Sequence, residues 1–222
     1  MSDLSKIFLR ETVHGSSTGE SKFVNQQQGA RRQYAHVVVS VRPAERGRGA
    51  VLTWSAGTQI PAHFCSAVVR GVQDALKAGA AGLEVTDVSV TVDSGSFHER
   101  DSSEEAFRAA AHEATLHAIQ EAGPIILESM SLVMITLPAT QVEIAELAVG
   151  GRGGEATPAV TTENGAKALA ANVPTAAVNE LFVELIRATG GKSTISSRAN
   201  GYRQRIDPPE EGTRRMVGPR RN

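Results

Sequence analysis

Three short stretches of the sequence carry residue types that could do chemistry. One is "GSFHERD", which brings Ser96, His98 and Asp101 together within a few residues. A hydrolytic triad needs its nucleophile, base and carboxylate held in line by buried structure. These three side chains are near neighbours in one predicted surface loop. We therefore predict no catalytic nucleophile there and interpret the loop as a contact surface.

The second stretch, "HEATLH", resembles the metal-binding helix of a zinc protease. Its two histidines are His112 and His117, five residues apart. Residues five apart lie about 140° apart around a helix, whereas two ligands of one metal need a spacing of three or four. Cys65 is the sole cysteine, which excludes an internal disulfide or a cysteine-based metal site. We predict no metal and no other cofactor.

The third stretch, "ATGGKST", looks like the end of a phosphate-binding loop. That motif requires a glycine five residues before Gly191, where this chain has Ile186. A phosphate loop also leads from a strand into a helix, whereas this segment is predicted to lead from a helix into a strand. We predict no nucleotide site and no catalytic residue.

The "GSFHERD" loop is positioned by a strand before it and a helix after it. Alternating valines in "VTDVSVTVD" predict a strand with the valines facing the core. Ser102 with Glu105 three residues on is a capping box and predicts a helix over about residues 102–121. Loops held on rigid elements commonly carry function.

The remaining patterns predict an α+β protein with two α/β-sandwich domains. In the first, "YAHVVVSV" and "AVLTWS" read as strands and residues 61–78 as an amphipathic helix, with "IILES" as the last strand. In the second, which starts with the strand "SLVMITLP", the order is β-α-β-β-α-β, the ferredoxin-like motif. We predict domains at 1–129 and 130–206 and a disordered basic tail at 207–222.

The formal net charge of -1 is unevenly distributed. From Ile195 onward seven arginines outnumber three acids, which leaves a formal -5 on the residues before it. The sequence has neither a signal-peptide core nor an apolar run of membrane-spanning length. We expect a cytoplasmic protein with no membrane or DNA partner. The tail residues predicted to contact phosphates are Arg214, Arg215, Arg220 and Arg221.

Several ordered stretches resemble domain IV of bacterial elongation factor G. They are "FLRETV", "GESKFVNQQQGARRQYAHVVVSVRP", "VVRGVQDALKAG", "GSFHERDSSEEAFRAAA" and "GPIILES". The second unit is similar to domain V of the same factor, mostly in its order of elements. The resemblance implies a left-handed βαβ crossover in the first unit, which pattern alone would argue against.

In that family, domain IV reaches the decoding region of the small ribosomal subunit and follows the codon–anticodon helix. The resemblance implies that two loops form the tip of the domain and that His98 matches an important tip histidine of the family. Ribosomal RNA is the implied partner. The residues that the resemblance implies for this tip are Gln28, Gly29, Arg31, Arg32, Gln33, Ser96, Phe97, His98 and Arg100.

The chain also departs from the family pattern. Ala30 and Arg32 stand where the family has glycines, so the first loop loses backbone freedom and gains a cation. Arg152 stands among glycines where domain V of the family has an arginine cluster. The GTPase domain of the family has no counterpart in this sequence.

These observations lead to a first hypothesis of a ribosome-binding protein that acts in translation without its own GTPase. A second is a split factor whose GTPase is supplied by a separate chain. A third is a module repurposed for a protein partner, because the negative charge before Ile195 does not favour RNA. A decayed gene fragment is a fourth, against which the intact periodicities and helix caps argue.

We expect the purified protein to bind no GTP in the micromolar range, because "ATGGKST" lacks the first glycine and the strand-to-helix context of a phosphate loop. Titration of a fluorescent GTP analogue measures this. Saturable micromolar binding that Lys192→Ala abolishes would overturn the interpretation of this segment.

Overall fold

A four-stranded and a six-stranded sheet organise the protein in this computed structural model, which describes residues 8–25 and 33–205. The strands are β1 (Leu9–Val13), β2 (Ser17–Asn25), β3 (Gln33–Pro43), β4 (Ala50–Trp54), β5 (Val88–Ser96), β6 (Pro124–Leu137), β7 (Glu155–Ala156), β8 (Val160–Thr161), β9 (Lys167–Pro174) and β10 (Thr194–Gln204). The helices are α1 (Ala62–Ala78), α2 (Glu104–Glu121), α3 (Val142–Gly150) and α4 (Val178–Ala188).

The four-stranded sheet has the order β2-β3-β5-β4. Its strands pair antiparallel except for β4 and β5, which are parallel neighbours joined through α1. This is the βαβ crossover of the first unit. The predicted alternation is confirmed, because the odd-numbered valines of β3 and the even-numbered valines of β5 are fully buried: Val37, Val39, Val41, Val88, Val90 and Val92.

Small residues let α1 and α2 lie very close to each other and to the sheet. A Cβ added to Gly19 of β2 would clash with the Ala114 carbonyl oxygen of α2. One added to Gly71 of α1 would clash with the Arg108 carbonyl oxygen, also in α2. The backbones of the two helices and of β2 thus approach closely, and small aliphatic side chains fill the core. This packing agrees with an aromatic content of only 4%.

Within the described ranges, none of the helices has the length and apolarity to cross a bilayer.

The six-stranded sheet is built around β6, which pairs with β1, β9 and β10. The two strands predicted on either side of residue 130 are one continuous strand here. Burial alternates over residues 131–137, and no glycine or proline interrupts residues 125–137, although Met130 and Ser131 are buried side by side. From β6 onward the elements follow the order β6-α3-β7/β8-β9-α4-β10. This is the predicted β-α-β-β-α-β order, except that the second strand is split into β7 and β8. The domain bounds stay a prediction.

The buried carboxylate of Glu11 joins the two sheets. Its strand, β1, pairs with β6 in the six-stranded sheet. Its side chain is fully buried and accepts hydrogen bonds from Ala80 N at 3.0 Å and Ala81 N at 2.8 Å, just after α1. Gly79 has φ of 55°, and a Cβ there would lie 2.5 Å from the carboxylate. Glycine at this position is therefore required by both conformation and space.

A surface ion pair joins the two helices α1 and α2. Arg108 Nε donates to Asp74 Oδ2 at 2.8 Å. This hydrogen bond holds the pKa of the Asp74 carboxyl below its ordinary value, against an opposing effect of desolvation. The pKa of Asp74 is therefore lower in the folded protein than in the unfolded chain. The ion pair adds stability at pH values above the unfolded pKa, and this stability is lost as the pH falls through the folded pKa. Solvent screening keeps this contribution small.

We predict that Glu11→Gln lowers the free energy of unfolding by about 1–3 kcal/mol, because the new amide group leaves a buried backbone N–H without an acceptor. Urea unfolding of the whole chain measures the difference. Glu84→Gln is the control, since Glu84 is an exposed carboxylate paired with Arg10 and should change stability by less than about 0.5 kcal/mol. Equal effects of the two variants would contradict the role of Glu11.

Candidate nucleic-acid interface

The strand ends from which the two predicted tip loops extend lie at the same end of the four-stranded sheet. β3 and β5 are antiparallel neighbours, so the start of β3 and the end of β5 meet there. The first loop leaves β2 and enters β3 at the paired residues Asn25 and Gln33. Some of the predicted contact residues lie outside the described residues, namely Gln28, Gly29, Arg31 and Arg32 of the first loop and Arg214, Arg215, Arg220 and Arg221 of the predicted tail at 207–222.

Ser102 holds the second loop against the start of β3. Its hydroxyl donates to the Tyr34 carbonyl oxygen at 2.8 Å and accepts from the His98 N–H at 2.9 Å. Tyr34 N in turn donates to the Asp101 carbonyl oxygen at 2.8 Å. Backbone and side chain therefore fix the second loop directly beside the residue at which the first loop ends.

This use of Ser102 corrects the predicted helix cap. The N-cap of α2 is Ser103, which has an extended backbone and whose hydroxyl accepts from Ala106 N at 3.1 Å. The helix begins at Glu104 rather than near residue 102. Either serine is a residue type favoured at an N-cap, but only Ser102 has a glutamate three residues on, as a capping box requires. The structure shows that the hydroxyl of Ser102 is bonded to Tyr34 and His98 instead.

Phe97 and His98 both project from this braced loop. The Phe97 residue is 43% exposed, and the His98 side chain is 57% exposed. His98 Nδ1 lies 3.2 Å from Asp101 Oδ2 and 3.4 Å from Arg100 N. With its proton on Nδ1 the ring donates to Asp101 and presents an acceptor outward at Nε2. With its proton on Nε2 it accepts from Arg100 and presents a donor outward.

Ser96 has a supporting position instead. Its hydroxyl is hydrogen-bonded to the Tyr34 hydroxyl at 2.8 Å and lies 3.3 Å from His36 Nδ1. His36 Nε2 is 2.8 Å from Glu20 Oε1. The Ser96 hydroxyl is thus bonded to Tyr34 and His36 rather than to the His98 ring. Arg100 is exposed on the loop surface.

Sequence reasoning missed the residues that brace the tip: Tyr34, His36, Ser102 and Glu20. One signal was present, because Tyr34 and His36 have the spacing of residues on one face of a strand, opposite to the buried valines. A cation reinforces this face, since Lys22 Nζ lies 5.6 Å from the centre of the Tyr34 ring. The hydrogen-bond partners of the bracing residues lie 16 to 68 residues away along the chain. No local sequence pattern reveals contacts at such separations.

The other stretches considered from the sequence have ordinary surroundings. His112 Nδ1 lies near Glu113, whereas His117 Nδ1 lies near the Glu20 carbonyl oxygen. "ATGGKST" leads from α4 into β10, as predicted. Arg152 forms an ion pair with Glu184 and donates to the Ala148 carbonyl oxygen. In the described part of the chain, no group of three or more His, Cys, Asp and Glu side chains is arranged to hold a metal ion.

Comparison with known proteins agrees with this geometry. The family described as elongation factor G, domain IV, matches residues 5–123, more than half of the 222 residues. The chain therefore belongs to the elongation factor G domain IV family, and the predicted α+β fold class is confirmed.

A solved protein from Thermus thermophilus is similar over both sheets. It superposes with a TM-score of 0.79 at 29% sequence identity and covers 91% of this chain. The chain spans only 30% of the length of that protein. The likeness thus extends beyond the family match into the six-stranded sheet, while most of the relative has no counterpart in these residues.

We predict that Ser102→Ala loosens the tip without unfolding the protein. Removing the hydroxyl leaves the His98 N–H without its acceptor, so hydrogen exchange at His98 should become faster. The matched control is Ser103→Ala, which removes the cap and should lower stability by about 1 kcal/mol. In that control, exchange should increase mainly in the first turn of α2. Unchanged exchange at His98 in Ser102→Ala would refute the bracing role.

Proposed function

We propose that this protein binds the ribosome at its decoding region and acts in translation through the braced tip, without hydrolysing GTP itself. The observation that carries the proposal is the exposed Phe97–His98 pair, which is held rigidly beside the end of the first loop in a chain of the elongation factor G domain IV family. The decoding region is the site that the family resemblance implies. Such a function is exercised in the cytoplasm.

The chemistry of the tip suits RNA. An exposed aromatic ring such as Phe97 can stack on an unpaired base. The outward nitrogen of His98 can donate to or accept from a 2′-hydroxyl or a base edge in the shallow minor groove of RNA. Arg100 in the described loop, and Arg31 and Arg32 in the sequence of the first loop, supply guanidinium groups for phosphates.

Rigidity supports recognition as well. A loop that is already ordered loses less conformational entropy when it binds than a free loop does. Here the second loop has a backbone hydrogen bond to β3, and the Ser102 hydroxyl joins it to the same strand. Affinity can therefore come from few contacts.

A second candidate function is binding to a protein partner. The formal -5 on the residues before Ile195 favours it, since this charge opposes RNA at long range. A separate GTPase chain is one such partner and would make the protein half of a split factor. Affinity capture of the tagged protein that recovers a GTPase but no ribosomal RNA would favour this candidate.

We predict that His98→Ala weakens co-sedimentation with ribosomes by about 1–3 kcal/mol of binding free energy while the protein stays folded. An exposed side chain of this kind contributes little to stability, about 0.5 kcal/mol or less. Arg31→Ala with Arg32→Ala should instead reduce the slope of log affinity against log salt, by up to about two if both contact phosphates. The histidine would act through shape and hydrogen bonds, the arginines through charge.

His14→Ala is the matched control, because His14 is exposed in the turn between β1 and β2, at the other end of β2 from the tip. It should leave co-sedimentation unchanged. Lack of ribosome binding by the unaltered protein at low salt would refute the proposal. Equal binding by the His98 and His14 variants would show that the tip is not used.

A further inference from the structure

A turn with three arginines lies at the end of the four-stranded sheet opposite the tip. It comprises the last two residues of β3 and the connection to β4, residues 42–49, and carries Arg42, Arg46 and Arg48. We call it the arginine turn. β3 has 11 residues between the two ends. At about 3.3 Å per residue, the arginine turn lies about 33 Å from the tip.

The buried side chain of Asp87 holds the arginine turn in one conformation. Its Oδ1 accepts from Gly47 N at 3.1 Å and Gly49 N at 3.0 Å, and its carbonyl oxygen accepts from Ala44 N at 2.8 Å. The Asp87 side chain is only 3% exposed. The arginines of this turn are thus presented by a fixed backbone.

Asp87 itself is held in an unfavourable conformation. It has φ of 57°, and no other non-glycine residue in the described ranges has positive φ. Positive φ is uncommon outside glycine, although Asp adopts it more readily than most residues. At Asp87 the hydrogen bonds to the turn hold this conformation in place.

Two of the three guanidinium groups have no acidic partner among the residues that the structure describes. Arg46 Nη1 lies 3.8 Å from Asp87 Oδ2. Within the described ranges, Arg42 and Arg48 have no carboxylate within salt-bridge distance, in contrast to Arg70 and Arg108, which pair with acids. Both guanidinium groups are therefore available to an external anion.

These groups surround a small open cavity. Its volume is about 230 Å³, and its lining includes Arg42, Arg48, Ser89 and Glu45. The two arginines suit a phosphate, to which a guanidinium group can donate two parallel hydrogen bonds. The Ser89 hydroxyl adds a donor. The Glu45 carboxylate is an acceptor only and disfavours a bare anion, but it can accept a hydrogen bond from a ribose 2′-hydroxyl beside the phosphate.

We propose that the arginine turn is a second RNA-binding site, which takes a backbone phosphate together with the neighbouring ribose 2′-hydroxyl. It rests on the proposed function only in taking RNA as the ligand. The tip and the arginine turn lie about 33 Å apart at the two ends of β3. Contacts at both ends would fix the orientation of the sheet on the RNA. Linked contacts of this kind also raise affinity by increasing the effective concentration of the second site.

The test compares two double variants that remove the same charge, with the full chain and with RNA and DNA duplexes of matching sequence. Arg42→Gln with Arg48→Gln should reduce the salt slope of RNA binding by up to about two and weaken binding more than about tenfold at low salt. The control, Arg70→Gln with Arg108→Gln, removes arginines already paired with Glu104 and Asp74. It should have a smaller effect on both quantities.

A further variant tests the 2′-hydroxyl contact. Glu45→Ala should improve binding to the DNA duplex more than binding to the RNA duplex, and so narrow the preference for RNA. Thermal unfolding of every variant shows whether the fold is intact. A salt slope that falls equally in both double variants, or a protein that binds no duplex, would overturn the proposal, and so would an RNA preference that Glu45→Ala leaves unchanged.

The outcome is separable from that of the proposed function. If the protein fails to co-sediment with ribosomes while its RNA-duplex affinity depends on Arg42 and Arg48, the decoding-region proposal fails and the second site stands. If ribosome binding depends on His98 but neither ribosome nor duplex binding depends on the arginine turn, the second site is refuted and the decoding-region proposal stands.

Discussion

The buried Glu11 carboxylate is the constraint on which the arrangement of the two sheets depends. Its strand belongs to the six-stranded sheet by pairing with β6, and its oxygens bind backbone N–H groups that follow α1 over the four-stranded sheet. A buried carboxylate is unfavourable unless its oxygens accept hydrogen bonds. The strand of the six-stranded sheet carries the carboxylate, and the segment that follows α1 supplies the N–H donors. Two layers with separate cores are thereby held together by hydrogen bonds as well as by the chain.

The register of β3 and β5 in the four-stranded sheet fixes the position of the tip. Val37 of β3 lies opposite Gly95, and His36 lies opposite Ser96. A Cβ on Gly95 would come within 2.6 Å of the His36 carbonyl oxygen, so the strand end stays close only because this residue is glycine. That closeness brings Ser96 to the Tyr34 hydroxyl, and Tyr34 in turn anchors the second loop through Asp101 and Ser102.

Periodicity alone predicted the sheet faces and helices well, because alternation and apolar stripes are local signals. The buried valines of β3 and β5 are an example. The continuity of β6 could not be predicted in this way, since Met130 and Ser131 are both buried and interrupt the alternation at the point where the strand changes partners. For the site, the loop of Phe97 and His98 was predicted, whereas Ser102 was assigned to the helix cap because it, and not Ser103, has a glutamate three residues on.

The negative charge of the residues before Ile195 opposes RNA at long range, but salt limits the distance over which it acts. At physiological ionic strength, exposed charges are screened over about 8 Å. Glu113 and Glu121 lie two or more turns along α2, about 13 Å or more from its start beside the tip. The cations of the tip and of the arginine turn stand at opposite ends of β3, about 33 Å apart. Acids also lie at both ends, since Glu99, Asp101, Glu104 and Glu105 are at or beside the tip and Glu45 is in the arginine turn. The local placement of each guanidinium group, rather than the net charge of the molecule, therefore decides which of them can meet a phosphate.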